Sequence, residues 1–132
     1  MIRMTEAQAN WAGFKSARKT TRIPKQDAAP VFAWAWKVAN LVPDLAPVPE
    51  YQFMPDRRFR FDWAFVAHKV GIEVDGGLWL RVGHAHPGNI LKEMVKFNFA
   101  AAAGWRVFRF TPEMLRADPV ACCELVRQAL QR

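Results

Sequence analysis

The sequence predicts an α/β fold in which a mixed β-sheet is flanked by helices. Between residues 59 and 75, apolar and polar residues alternate with period two in two short runs, as in a β-hairpin. Segments with helical spacing and capping residues lie on both sides of this hairpin. A further short strand, residues 105–110, follows one of these helices, so its return to the sheet gives mixed strand directions. The predicted order is helix, helix, three strands, helix, strand, helix.

Length and composition indicate one domain with a sizeable core. The chain has 132 residues, of which 52% are hydrophobic and 13% aromatic. No apolar run has the length of a membrane span, and the N-terminus lacks the apolar stretch of a signal peptide. We therefore expect a soluble cytoplasmic protein with no membrane partner. The adjacent residues Cys122 and Cys123 are expected to be buried free thiols in a reducing compartment.

The chain is strongly basic, with a net charge of +7 and a pI near 10.0. This balance favours a polyanionic partner, and nucleic acid in particular, although many solvated faces are also basic. The spacing predicts a helix over residues 5–19, and its bases Lys15, Arg18 and Lys19 are candidate phosphate contacts. The alternative is a solubilising, partly frayed terminus.

A second helix begins at Asp27 or at the Ala29–Pro30 junction and ends near Asn40. It is apolar on most sides, so we expect it to lie in the core or at a homodimer interface. Prolines at positions 43, 47 and 49 then mark a stiff connector over residues 42–49. This divides the single domain into an N-terminal helical arm with its connector, residues 1–49, and a core, residues 50–132.

The register of the hairpin follows from burying one face. If the turn is centred between residues 67 and 68, Phe65 faces Val70 and Trp63 faces Ile72. Period two places Phe61 on the same aromatic face. The opposite face is then polar.

On that polar face, Asp62 lies opposite Glu73, and Arg60 lies opposite Asp75. Two carboxylates directly opposed across a strand pair repel each other. A divalent cation such as Mg²⁺ supplies the counter-charge. The alternative is that Asp62 pairs with Arg60 or another base while Glu73 faces water.

A first strand over residues 50–54 precedes the hairpin, with a turn at residues 55–58. Arg57 and Arg58 lie at the lip of the hairpin, where they contact phosphates or simply form an exposed turn. Arg60 shares the face of the predicted acids. Glu50, at the start of the first strand, is a candidate accessory acid and is more simply explained as solvent-exposed.

After the hairpin, residues 76–77 form a turn, and residues 78–88 a loop that carries His84 and His86. Two imidazoles on one face of an extended segment suit metal binding or general-base work. Hydrogen-bonded loop histidines are the favoured alternative.

The next helix is predicted over residues 90–103, with Asn89 as N-cap and Gly104 as its stop. Glu93 and Lys96 lie three residues apart and are placed to pair, unless Lys96 reaches a metal-bound water or a phosphate. Its apolar stripe contains Ile90, Leu91, Met94, Val95, Phe97, Ala101 and Ala102.

Two further helix starts are marked by Thr111–Pro112 and Asp118–Pro119. The last helix, from about residue 119 to 131, carries an apolar stripe and is expected to pack on the sheet.

The stretch from residue 57 to residue 75 resembles the PD-(D/E)XK nuclease superfamily, and more narrowly the small phage-encoded endonucleases of the resolvase type. The resemblance extends over roughly residues 50–115. It is carried by the segments RFRFDWA (58–64), EVDGG (73–77), KFN (96–98) and GWRVFRFT (104–111). The EVDGG element followed by GWRV is also similar to nicking endonucleases of the mismatch-repair type.

The resemblance implies a restriction-endonuclease-like αβββαβ core with an N-terminal helical extension. Asp62 resembles the first metal-binding acid and Glu73 the acid of the (D/E)XK element, with the Val74 carbonyl as a further ligand of Mg²⁺ or Mn²⁺. Asp75 occupies the position where a lysine is usual. Asp75 would then be an extra metal ligand, and Lys96 on the next helix would supply the displaced ammonium.

The activity implied is metal-assisted hydrolysis of DNA phosphodiester bonds, with Asp62, Glu73 and Lys96 as catalytic residues. Bases that contact phosphates position DNA without reading its sequence. We therefore expect selectivity for structure: a branched DNA or Holliday junction cut by a homodimer, or nicking, in the repair or recombination of a bacterial or phage-infected cell. One alternative is a nucleic-acid-binding or inhibitory protein that keeps the fold without catalysis, which Asp75 favours. The other is a basic phage structural protein.

Overall fold

The computed structural model describes residues 25–76 and 87–131. The helix predicted over residues 5–19, with Lys15, Arg18 and Lys19, lies outside the described residues. The loop that carries His84 and His86 also lies outside them.

The described residues form five helices and four strands, and from residue 30 to residue 110 they follow the predicted order of helix, three strands, helix and strand. The helices are α1 (Lys25–Ala28), α2 (Pro30–Ala39), α3 (Pro87–Ala102), α4 (Pro112–Ala117) and α5 (Pro119–Leu130). The strands are β1 (Val48–Gln52), β2 (Arg60–Phe65), β3 (Val70–Val74) and β4 (Arg106–Phe110). A 3₁₀ turn, Val66–His68, joins β2 to β3.

The four strands form one open sheet in the order β1-β2-β3-β4. The pairs β1–β2 and β2–β3 are antiparallel, whereas β3 and β4 are parallel and are connected through α3. The predicted hairpin register is confirmed, since Phe65 pairs with Val70 and Trp63 with Ile72. The fold is therefore an α/β fold with a mixed sheet flanked by helices.

One face of the sheet is covered by α2, α4 and α5. The side chains of Phe65, Val70 and Ile72 point into this core and meet Phe32 and Trp36 of α2. Helix α2 is thus part of the main core and does not stand apart from the sheet. Its buried residues are Val31, Phe32, Ala35 and Trp36.

Two indole hydrogen bonds fix α2 and the segment after it. Trp63 Nε1 on β2 donates to the carbonyl of Ala29, 2.8 Å away, just before α2. Trp36 Nε1 donates to the carbonyl of Leu45 at 2.7 Å, which ties the proline-rich connector back onto the helix. Because both donors are partly buried, these bonds satisfy groups that have lost water.

The opposite face of the sheet carries a second, smaller core, and Phe61 lies in it. The prediction that Phe61 shares a face with Trp63 is wrong. The centre of the Phe61 ring lies 4.3 Å from the ring centre of Phe53 and 5.1 Å from that of Trp105. In the neighbouring strand β1, Glu50 adopts a left-handed conformation with φ of 50°. The pairing of β1 with β2 keeps one register on both sides of Glu50, with Pro49 opposite Trp63 and Tyr51 opposite Phe61.

Gly71 makes room for this ring. A Cβ at position 71 would lie 2.7 Å from Cδ2 of Phe61. Only a residue without a side chain permits this approach between β3 and the displaced aromatic ring.

The helix ends agree with the sequence signals except at the start of α3. Thr111 Oγ1 accepts from the N–H of Met114 at 3.2 Å, and Asp118 Oδ1 accepts from the N–H of Ala121 at 3.0 Å. Gly104 follows α3 with φ of 84°, as a terminating glycine requires. The prediction of Asn89 as N-cap is wrong, because α3 already begins at Pro87, a residue suited to the first helical position.

No helix in residues 25–76 and 87–131 has both the length and the hydrophobicity needed to cross a membrane.

Candidate functional site

Glu73 lies near the end of β3, on the sheet face that α3 covers, and is 4% exposed. Its Oε1 accepts a hydrogen bond from Nζ of Lys96 on α3. The two residues are 23 positions apart in sequence and are brought together by the β3–α3–β4 connection. The ammonium of Lys96 is therefore directed at the acid that only the resemblance likens to that of the (D/E)XK element.

Asp62 reaches the same strand end from β2. It is 7% exposed, and its Oδ2 accepts from the N–H of Val74 at 2.8 Å. The carboxylate of Asp62 is thus bound to the residue that follows Glu73. This places two acids from neighbouring strands at one end of the hairpin, and the Val74 backbone between them.

Asp75 follows directly after β3 and is 7% exposed. Its N–H donates to the carbonyl of Phe110 at 2.8 Å, and its Oδ2 accepts from Nε of Arg109 at 2.9 Å. The sequence placed Arg60 opposite Asp75, but the ion partner that the structure gives Asp75 is Arg109. The parallel register aligns Glu73 with Arg109, so the long Arg109 side chain reaches one residue further, to Asp75.

Arg109 also joins the sheet to α3. Its Nη2 lies 3.3 Å from Oε2 of Glu93, and its guanidinium carbon lies 4.7 Å from the ring centre of Phe97. The predicted Glu93–Lys96 pair is wrong: Glu93 binds Arg109, and Lys96 binds Glu73. Glu93 and Lys96 both point to the sheet, where each meets a side chain of opposite charge on a strand.

The environment of Arg109 favours its charged form. Burial by itself lowers the pKa of the guanidinium, but hydrogen bonds to the carboxylates of Asp75 and Glu93, together with their charges, raise the pKa above its ordinary value. Arg109 is therefore a permanent positive charge beside Asp75.

Sequence reasoning missed Arg109 as a member of this site. The signal that points to it is a charged residue inside an otherwise apolar strand segment, which needs a partner when the strand joins a sheet. Its partner follows only from the β3–β4 register, which periodicity does not supply.

The chemistry of these donors suits a hard cation in part. Mg²⁺ takes one or two carboxylates and keeps several waters. Asp62 and Glu73, with the Val74 carbonyl, would form such a site. Each of the three acids already binds a donor through one oxygen: Asp62 the Val74 N–H, Glu73 the Lys96 ammonium and Asp75 the Arg109 guanidinium. Over the described residues, no group of three or more His, Cys, Asp or Glu side chains is arranged to hold one metal ion.

The candidate phosphate-binding bases near the hairpin are exposed. Arg57, Arg58 and Arg60 all face solvent at or next to the turn before β2. The guanidinium carbon of Arg57 lies 4.3 Å from the ring centre of Phe99 on α3, so this side chain also packs against the helix. Glu50 is exposed, and its role in the structure is the left-handed step in β1.

The cysteines lie away from this site. Cys122 and Cys123 are free and buried in α5, as the sequence predicts. Burial raises the pKa of both thiols, that of Cys123 to about 12. They are therefore not poised as nucleophiles or as metal ligands.

Comparison of the chain with protein-family models, with curated proteins and with solved structures found no match.

Proposed function

We propose that the protein is a metal-dependent DNA endonuclease with a restriction-endonuclease-like core, and that Asp62, Glu73 and Lys96 form its active site. The observation that carries this proposal is the contact between Lys96 Nζ and Glu73 Oε1. A lysine directed at the second acid of a hairpin is the arrangement that compensates for Asp75 at the usual lysine position. The mixed α/β sheet is compatible with this class of fold.

Two acids would hold Mg²⁺ or Mn²⁺ here, Asp62 and Glu73, together with the Val74 carbonyl. When bound, the ion would lower the pKa of a water molecule and stabilise negative charge on the scissile phosphate. The hydrogen bond from the Val74 N–H fixes the orientation of the Asp62 carboxylate, so this ligand is held in place by the backbone of the neighbouring strand.

Lys96 has two roles in this proposal. Its ammonium balances the charge of Glu73, which is nearly fully buried. Once phosphate is bound, the same ammonium is placed to orient the attacking water and to stabilise the charge that develops on the phosphate oxygens. Because the phenyl ring of Phe61 lies 5.7 Å from Nζ, the lysine is held over an aromatic surface rather than in bulk water.

Asp75 and Arg109 have a supporting role. The Arg109 guanidinium binds Asp75 and Glu93 and so connects the end of β3 to α3. Since α3 carries Lys96, this connection fixes the helix that delivers the ammonium. Asp75 is accordingly assigned to the framework of the site.

DNA is the proposed substrate because the chain carries a net charge of +7 and exposes three arginines beside the hairpin. Arg58 and Arg60 are the phosphate contacts closest in sequence to Asp62. Such contacts fix the position of the backbone without reading bases. We therefore propose selectivity for DNA structure: a branched junction or a nicking site.

A second candidate function is nucleic-acid binding without cleavage, and one observation favours it. The acid at the usual lysine position, Asp75, is bound by Arg109, and Glu73 is already neutralised by Lys96. A site closed by its own ion pairs would hold the fold together without recruiting a cation. In this case the basic surface alone would bind DNA.

A cleavage assay separates the two functions. Supercoiled plasmid and a four-way junction are incubated with the full chain in Mg²⁺ or Mn²⁺, with EDTA as control. The nuclease proposal expects metal-dependent cutting that Asp62→Asn, Glu73→Gln and Lys96→Met each reduce by about a hundredfold or more. Lys92→Met alters an exposed lysine on the same helix and is the matched control.

The outcomes are distinct. Cutting lost in the three site variants and kept in Lys92→Met supports the nuclease. Folded wild-type protein that binds both DNAs in a salt-sensitive manner, and cuts neither with either metal, supports the non-catalytic binder.

A further inference from the structure

Helix α3 turns Glu93 and Lys96 inward and leaves an uncharged, largely apolar face outward, with Lys92 exposed beside it. Glu93 and Lys96 face the sheet, where they bind Arg109 and Glu73. The outward positions are Ile90, Leu91, Met94, Val95, Asn98, Ala101 and Ala102, all exposed. At 3.6 residues per turn these seven positions lie within an arc of about 140°. We call them the outer face of α3.

This arrangement differs from what the sequence predicts for an amphipathic helix. An apolar stripe normally faces the core. Here Leu91 is 62% exposed, Met94 57%, and Ile90 and Val95 42% each. The side of α3 that faces the sheet carries the two ion-pairing residues and the buried Ala100, so the stripe is left on the surface. Contiguous apolar faces of this kind mark sites of association.

The charge of the outer face argues against nucleic acid as its occupant. None of its seven residues is charged, although the chain carries a net charge of +7. A polyanion is bound by lysine and arginine, which this face lacks. Two copies of a basic protein, in contrast, can meet on an uncharged face without bringing like charges into contact.

The distribution of side-chain size favours a second copy packed antiparallel. The large residues Ile90, Leu91 and Met94 lie in the first half of the face, and the small residues Ala101 and Ala102 lie in the second half. An antiparallel copy sets the large half of each helix against the small half of the other, which is the self-complementarity that a two-fold interface requires. Asn98 lies near the middle, where an amide can both donate to and accept from its own copy.

The size of the face is sufficient for a modest dimer. Two copies of a seven-residue helix face bury on the order of 1,000 Å² in total, the lower limit for a specific interface. Interfaces at this lower limit are typical of weak or transient association. By comparison, the exposed large apolar residues of α2 are Trp34 and Val38 alone.

We propose that two copies of this chain associate through the outer faces of their α3 helices, packed antiparallel about a two-fold axis near Val95 and Asn98. The inference goes beyond the nuclease proposal and does not depend on it. If both hold, each α3 carries Lys96 on one side and the partner on the other, so the two candidate active sites lie on opposite sides of one helix pair.

Sedimentation velocity of the full chain tests the interface, over about 1–100 µM protein. The wild-type protein is expected to show a monomer–dimer equilibrium in this range. Leu91→Glu and Met94→Glu each place two carboxylates in the interface and are expected to weaken dimerisation at least tenfold. Val120→Glu, at a residue that is 50% exposed on α5, is the matched control and should leave the equilibrium unchanged.

Ala101→Leu distinguishes antiparallel packing from unspecific apolar association. The added side chain fills the space that the large half of the partner needs, so the proposal expects weaker dimerisation, whereas unspecific association would strengthen. The substitution is at an exposed position and preserves helix propensity, so folding is retained. A monomer at every concentration overturns the proposal. So does a dimer that survives both glutamate variants and is lost in Trp34→Glu.

Discussion

The Arg109 guanidinium contacts Asp75 through Nε at 2.9 Å and Glu93 through Nη2 at 3.3 Å, and so connects a strand end to the helix above it. Asp75 is 7% exposed, whereas the Arg109 side chain is 36% exposed. The buried partner of this pair is therefore the acid. Removing the arginine leaves a carboxylate short of a donor in a poorly solvated position.

Arg109→Met is expected to lower the free energy of unfolding by about 1–3 kcal/mol, the usual cost of a buried polar group that loses its partner. Partial exposure of Arg109 keeps the loss below that of a fully buried pair. Urea denaturation at neutral pH measures the change. Adding Asp75→Asn to Arg109→Met should recover part of the loss, because the buried side chain at position 75 then carries no charge, while Glu93 is more exposed. A double variant less stable than Arg109→Met would contradict this account.

Gly71→Ala is expected to destabilise the protein by about 1–3 kcal/mol, the cost of overpacking. The new Cβ would lie 2.7 Å from Cδ2 of Phe61, so the ring must move against Phe53 and Trp105. Thermal unfolding measures the loss. Phe61→Leu in the same chain removes the opposing ring atoms, and Gly71→Ala should then cost less in this background than in wild type. An equal cost in both backgrounds would show that the clash is not the cause.

The thiols of Cys122 and Cys123 are expected to be unreactive in the folded protein. The thiolate is the reactive form, and burial raises the pKa of Cys123 to about 12. Ellman's reagent at pH 8 should therefore modify neither residue in buffer and both in guanidinium. Fast modification of the native protein would show that α5 opens readily.

The same shift has a consequence for stability at alkaline pH. The folded pKa of Cys123 lies above the ordinary value of 9.0, so the unfolded chain loses this proton first as the pH rises. Its contribution to stability is full below about pH 9 and is lost progressively towards pH 12. Cys123→Ala should flatten the decline of the unfolding free energy between these values, which denaturation at a series of pH values would reveal.

Arg58→Ala and Arg60→Ala are each expected to weaken DNA binding and to reduce the slope of log K against log salt by about one, the effect of one lost phosphate contact. Both side chains are exposed beside the hairpin. Fluorescence anisotropy with a labelled four-way junction, repeated at several salt concentrations, gives the slope. Arg116→Ala, an exposed arginine on α4 on the other face of the sheet, is the control. An unchanged slope in both hairpin variants would place the DNA elsewhere.

Local sequence signals predicted much of this fold. Alternation and a short turn set the pairing of Phe65 with Val70, since a shift by one residue would expose every core side chain. The caps at Thr111 and Asp118 were also predicted, because a capping side chain acts within three residues of its own backbone. In the candidate site, the sequence singled out Asp62, Glu73 and Lys96, and the structure brings Lys96 onto Glu73.

The parts that the sequence did not predict depend on non-local geometry. Nothing in the residue type marks Glu50 as left-handed, and nothing in the alternation of β2 places Phe61 in the second core. The orientation of α3 depends on contacts with strands on either side of it in sequence, namely the two ion pairs and the burial of Ala100 beside Phe61 and Trp105, and periodicity does not supply these contacts. Arg109 could be identified as a site residue only from the β3–β4 register, which sets it beside Glu73.

The parallel pairing of β3 with β4 also bears on how the chain folds. Strands β2 and β3 are joined by a short turn, whereas β3 meets β4 only after the whole of residues 75–105 has been traversed. Loop-closure entropy opposes the second pairing more than the first, so the hairpin is expected to form early and β4 to dock late. The Asp75–Arg109 contact waits for that docking because Arg109 lies on β4, whereas the Glu73–Lys96 contact needs α3 in place. The candidate site is thus completed in a late step of folding, and a partly folded chain carries its acids without their bases.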